Sequence, residues 1–161
     1  MARFKVSPNL EKYNQKIYAL GAEAQAYIEQ AVKEGANPVA DAVRAGLNGI
    51  PVDDGYRKKG EIRSGLRSVQ KAGLSASLGV APIRNDSGFI NVKVGFDGYN
   101  NMHTKQYPSG QPNAMIARSI ESGTSIMQAH PFVGPAVSKS RKQSEKIMEQ
   151  SIDKSINSIM N

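Results

Sequence analysis

The stretch Glu121–Ala136, ESGTSIMQAHPFVGPA, decides how this chain is read. Gly123 is free to take a positive φ, and Pro131 and Pro135 each hold φ at about −65°. Pro131 also pushes the preceding residue, His130, towards extended geometry. Pro135 suits the first turn of a helix, where a missing N–H leaves nothing unsatisfied. The stretch is therefore a rigid connector that fixes one element against another.

Downstream, a long helix is expected from Pro135 to about Met160. Val137, Arg141, Ser144, Ile147 or Met148, Ser151, Ile152, Ile156 and Ile159 recur on one stripe. Several of these positions are Ser, so the stripe is thin. It suits one-sided packing, against the first helix or a neighbouring subunit.

Upstream, Ala114–Ser122 is short and fits a helix or a strand, a helical turn being favoured, and it is preceded by a polar loop, Tyr99–Asn113 (YNNMHTKQYPSGQPN). Loops this long inside a compact domain are uncommon unless functional or disordered. Ser75–Ala81 and Gly88–Phe96 alternate as strands, with Asn85-Asp86-Ser87-Gly88 as the turn and a third strand near Ile83.

The N-terminal side is helical. After a short arm, Met1–Pro8, a helix capped by Asn9 carries Leu10, Tyr13, Ile17, Leu20, Ala24, Tyr27 or Ile28, and Ala31 at helical spacing, and Gly35 is its expected stop. A second helix is expected from Asn37-Pro38, with Val39, Val43 and Leu47 inward, ending near Asn48-Gly49. A turn at Pro51–Gly55 leads to a third helix within Tyr56–Lys71, with Ile62, Leu66 and Val69 on one side. Arg63 and Arg67, four apart, would share a face of it. The fold class that follows is α+β: one domain over residues 1–161, with an antiparallel sheet of about four strands packed with long N-terminal and C-terminal helices.

Composition sets bounds on function. Only 6% of the 161 residues are aromatic and Trp is absent, so the core leans on Ala, Val, Ile, Leu and Met. A thin core suggests that neighbours in an assembly contribute to stability. Cysteine is absent, which removes disulfides, thiol catalysis and thiolate metal sites. No apolar run reaches the roughly 18 residues of a membrane span, and the N-terminal segment has no apolar run of signal-peptide length. The formal charge of +7 points towards polyanions.

The residues for enzymatic chemistry do not converge in sequence. His103 and His130 lie far apart with no zinc spacing; His103 is read as solvated and His130 as a structural hydrogen-bonder. No nucleophile elbow, phosphate loop or dinucleotide fingerprint is present. Asp53-Asp54 are neighbours in a turn, and such carboxylates do not converge on a metal unaided. Glu121 is read as bonding the backbone N–H groups of its own turn. No catalytic residue, metal or cofactor is assigned.

Two surfaces remain as candidate sites. Arg57, Lys58, Lys59, Arg63, Arg67 and Lys71 form the densest basic segment and are candidates for contact with a polyanion backbone, without sequence preference. Glu121, Gly123, Thr124, Met127, Pro131, Phe132 and Pro135 are candidates for a subunit interface. Met127 and Phe132 carry two readings: plugs of the chain's own core, or anchors against a neighbour, where Met and aromatic residues are enriched.

The order Glu-x-Gly-Thr, then Met, then Pro-Phe-x-x-Pro-Ala entering a long terminal helix resembles the tail-completion or head–tail joining proteins of long-tailed bacteriophages. The resemblance extends to Gly60, Glu61, Ile62, Arg63, Ser64 and Leu66, although Ile62 and Gly65 depart from the Leu and polar residue of the family pattern. It implies a non-enzymatic virion protein of the head–tail junction, a neck or minor tail protein made in the host cytoplasm. Its partners would be copies of itself in a ring and neighbouring tail-tube, tail-terminator and head-closure proteins, with non-specific contact to DNA in the channel and none with membrane. The resemblance also implies that the loop Tyr99–Asn113 orders on assembly. The competing expectation is a basic nucleic-acid-binding accessory protein.

Overall fold

The computed structural model describes residues 8–160, so the expected N-terminal arm lies almost wholly outside the described residues. Helix α1 runs from Pro8 to Gly49. At 1.5 Å per residue it is roughly 63 Å long. The two helices expected here are one, because Gly35 and Pro38 do not interrupt it. Gly35 is a close-approach residue: a Cβ there would lie 2.5 Å from Met148 Cγ and 3.3 Å from the Ser144 carbonyl. Pro38 removes one i→i−4 hydrogen bond, a penalty of about 3 kcal/mol in a helix interior. Packing against the C-terminal helix, α4 (Val133–Met160), holds the chain helical across it.

α1 and α4 run antiparallel. Lys16 Nζ donates to the Met160 carbonyl at one end, at 2.6 Å, while Gly46 lies against Phe132 at the other. Small residues make this contact close: Ala31, Ala36 and Ala40 on α1, and Ala136, Ser140, Ser144 and Ser151 on α4, are all buried. The serines that thin the stripe in the sequence thus lie inside the helix pair. Ser140 satisfies its hydroxyl by donating to the Ala136 carbonyl at 2.8 Å.

Between these helices lie α2 (Ser68–Ser77), the strands β1 (Leu78–Val80), β2 (Arg84–Asp86), β3 (Phe89–Asn91) and β4 (Val94–Phe96), and α3 (Asn113–Ser122). The class is α+β as expected, but the four short strands form two two-stranded antiparallel sheets: β1 pairs with β4 and β2 with β3. Together they make one interrupted ribbon. The break falls just after Ala81, whose N–H bonds the Lys93 carbonyl at 2.7 Å, since Pro82 has no N–H with which to continue. The β2–β3 turn uses Ser87 and Gly88, both at positive φ (56° and 94°), the geometry a two-residue hairpin needs. Ser75–Ser77, expected in a strand, close α2 instead.

The core gathers at the C-terminal end of α1. Val43, Leu47 and Ile50 meet Leu66, Leu74 and Leu78, then Ile116 and Ile120 of α3, and Phe132 and Ala136 at the start of α4. Phe96 of the ribbon reaches this core, its ring centroid 5.9 Å from that of Phe132 in a tilted pair. The loop 99–113 is closed on itself. Asn100 N–H bonds the Gln111 carbonyl, Thr104 and Tyr107 exchange backbone bonds, and Asn100 is buried. Order on assembly is therefore not required to shape it.

Candidate functional site

The segment Tyr56–Arg67, expected to be helical, is a non-helical loop with a turn at Lys59-Gly60, and its second half is the centre of a backbone belt. Arg63 N–H bonds the Ile126 carbonyl and Gln128 N–H bonds the Arg63 carbonyl, both at 2.9 Å. On the other side, Leu66 N–H reaches the Pro51 carbonyl at 2.9 Å and Asp53 N–H reaches the Leu66 carbonyl at 2.7 Å. Both pairings are parallel bridges. His130 Nε2 donates to the Ser64 carbonyl at 2.6 Å and tightens the same belt, the structural role read for it in the sequence. Gly65 permits the approach: a Cβ there would lie 2.2 Å from the Pro51 carbonyl oxygen. Long-range backbone pairing wins over helical periodicity up to Leu66, leaving Leu66 buried but Ile62 exposed; Val69, also exposed, lies in the first turn of α2. Arg63 and Arg67 share no helical face.

Asp53 anchors the belt. Its buried carboxylate accepts the Ser64 N–H and hydroxyl, both at 3.0 Å, and the Arg57 guanidinium. Arg63 Nη1 lies 3.7 Å from the other carboxylate oxygen and donates to the Asp53 and Gly55 carbonyls. The Ser64 N–H foremost, with its hydroxyl and Arg57, holds the Asp53 carboxyl below its ordinary range against the opposing effect of burial. Asp54 turns elsewhere and accepts the Ser68 N–H at 2.9 Å at the start of α2. The neighbouring carboxylates thus serve two different elements. Among the described residues no three His, Asp or Glu side chains are grouped to hold a metal ion.

The basic candidates divide accordingly. Arg57 and Arg63 are held by Asp53, and Lys71 donates to the Asn48 and Ile50 carbonyls (2.9 and 2.6 Å), closing the C-terminus of α1. A cation there also complements the helix dipole. Lys58, Lys59 and Arg67 are exposed.

The connector is built from its two ends. Gly123 leaves α3 at φ +72°, where Ala129 packs against it. His130 N–H returns to the Ile120 carbonyl at 2.8 Å. Thr124 and Met127 exchange backbone bonds (2.9 and 3.3 Å), making a tight turn that displays Ile126. Glu121, on the last turn of α3, accepts the N–H groups of Phe132 (2.7 Å), Val133 (2.9 Å) and Gly134 (2.9 Å). These belong to the first turn of α4, not to the turn beside Glu121 as expected. Pro135 has no N–H, so every orphan donor of that helix start is accounted for. Burial raises the Glu121 pKa, and the three donors together outweigh it, leaving the carboxyl below its ordinary value.

Of the interface candidates, Phe132 is buried in the chain's own core and Met127 is half-buried against it. Thr124, Pro131 and Pro135 are exposed, while Glu121 and Gly123 are partly covered. Sequence reading passed over Ile126, which is 67% exposed, and set Ile62 on the same side of a helix as Leu66, whereas it is 60% exposed and its backbone neighbours Ile126 through the belt. The available signal was an isoleucine standing alone in a Ser/Thr/Gly turn. Pro131 and Pro135 border an open groove of about 1150 Å³ between α1 and α4. The arrangement offers exposed surfaces for packing. Comparison with known proteins finds no matching family model, no matching curated protein and no matching solved structure.

Proposed function

We propose that this chain is a non-enzymatic structural subunit of the head–tail junction of a long-tailed phage, completing the tail or joining it to the head. One observation carries the reading. The two stretches that resemble that family, Gly60–Leu66 and Glu121–Ala136, lie far apart in sequence yet are bonded to each other through Arg63, Ile126 and Gln128. A pattern split between distant stretches has a physical reason when both build one belt.

The mechanism is geometric. Glu121 and Asp53 fix the connector and the loop 51–66 against the helix pair, so their exposed residues form a rigid surface offered to neighbours. Copies of the chain and adjoining neck or tail proteins are its partners, and Lys58, Lys59 and Arg67 are available to DNA in the channel. The alternative, a basic nucleic-acid-binding accessory protein, has less support, because Arg57, Arg63 and Lys71 are engaged within the fold.

The test is disruption of the gene followed by electron microscopy of the lysate. Full heads beside unattached or malformed tails are expected. Normal yields of intact, infectious particles would sink the proposal.

A further inference from the structure

Beside the core, a cavity of about 260 Å³ lies between the β1–β4 ribbon and the helices α1, α3 and α4. Its walls are Val43, Leu78, Val94, Phe96, Ala117 and Val133. Of these, Val43, Leu78 and Ala117 are buried and form the floor. The rim is of another kind. Arg118 and Ser122 line it, both exposed and one turn apart on the same face of α3. Arg118 pairs with no carboxylate among the described residues. Glu121, which also lines the cavity, gives its two oxygens to the N–H groups of Phe132, Val133 and Gly134. The positive end of α4 offsets that charge, so the guanidinium is the uncompensated one at the rim.

We propose that this cavity binds a small aromatic monocarboxylate, its ring enclosed by the apolar walls against Phe96 and its carboxylate held at the rim by Arg118 and Ser122. Size sets the first limit. An apolar cavity of about 150 Å³ is enough to hold benzene, so one of this volume takes a ring with a short side chain. Phe96 favours an aromatic body. Its ring already forms a tilted pair with Phe132 at 5.9 Å, and its place in the wall lets a second ring extend the pairing. The head group follows from the rim. A planar guanidinium matches a carboxylate through two parallel N–H donors, repels an amine, and gains nothing from a plain hydrocarbon. A formal charge of +7 on the whole chain also favours a small anion over a cation. The inference goes beyond the head–tail reading and does not depend on it, since it concerns a ligand of the folded chain whatever the assembly.

The probe is phenylacetate, titrated into the full chain and followed by amide chemical shifts. Saturable binding is expected with a Kd on the order of 1 mM or below, and with shifts centred on Phe96, Ala117 and Arg118. Arg118→Ala removes a charged donor and should weaken phenylacetate about tenfold or more, while leaving its neutral analogue phenylacetamide unaffected. Ala117→Leu fills the floor and should abolish binding of both. Arg118 is exposed, so its variant keeps the test decisive if Ala117→Leu does not fold. Absence of a saturable shift at about 10 mM phenylacetate overturns the inference. Equal affinity of the wild-type chain for phenylacetate and phenylacetamide does so too, because the guanidinium then selects nothing. Shifts centred on the α1–α4 groove instead of this cavity have the same meaning. All of these are read on the isolated chain, so the proposal stands or falls apart from the microscopy of lysates.

Discussion

Glu121 Oε2 lies 2.7 Å from the backbone nitrogen of Phe132, so the last turn of α3 caps the helix that follows it. The same carboxylate serves Val133 and Gly134. It locks the connector's exit at the point where Phe132 enters the core. The connector and the hydrophobic core are therefore mechanically one unit.

Replacing Glu121 with Gln should lower stability by about 2 kcal/mol, since a charged acceptor of three N–H groups becomes a neutral amide that brings donors of its own. Denaturant unfolding measures it. An unchanged midpoint would mean that water serves those N–H groups equally well.

Stability should fall in acid. The carboxyls of Asp53 and Glu121 titrate below their ordinary values in the folded chain. Their contribution is therefore complete above the unfolded values of about 4 and is lost as pH falls through the folded ones. Asp53→Asn should flatten the acid limb of a plot of unfolding midpoint against pH. A variant with the same slope as wild type would contradict the assignment.

Two glycine substitutions should act in opposite directions. Gly21 is helical, and an added methyl would meet nothing within 4 Å, so Gly21→Ala should stabilise by roughly 0.5–1 kcal/mol. Gly65 faces the Pro51 carbonyl, which is backbone and cannot turn aside, so Gly65→Ala should destabilise by about 3 kcal/mol. Thermal unfolding of the pair decides it, and equal shifts would refute the belt's close packing.

Phe132→Ala should cost about 3–5 kcal/mol through the cavity left beside Phe96 and Leu47. Ile126→Asp, at an exposed turn, should change stability by no more than about 0.5 kcal/mol. Unfolding curves for the two separate an internal plug from a surface residue, and a comparable loss for both would place Ile126 in the core.

Several features were settled by the sequence alone. The helical character of both ends of the chain, the helical option favoured before Ser122, and the inward Val43 and Leu47 follow from helical spacing. Tertiary structure decided the rest. Gly35 and Pro38 read as helix breaks, yet packing against Met148 and Ser144 carries α1 through them. Arg63 reads as helical and cationic, yet its backbone joins the connector and its guanidinium turns to Asp53, a partner ten residues away. Glu121 was legible as a backbone acceptor, but which N–H groups it takes depends on where the chain returns after Pro131. Spacing in sequence reports which residues share a face of their own element. It carries no information on which distant backbone will supply the missing hydrogen-bond partner, and that choice shaped both the belt and the surface beside it.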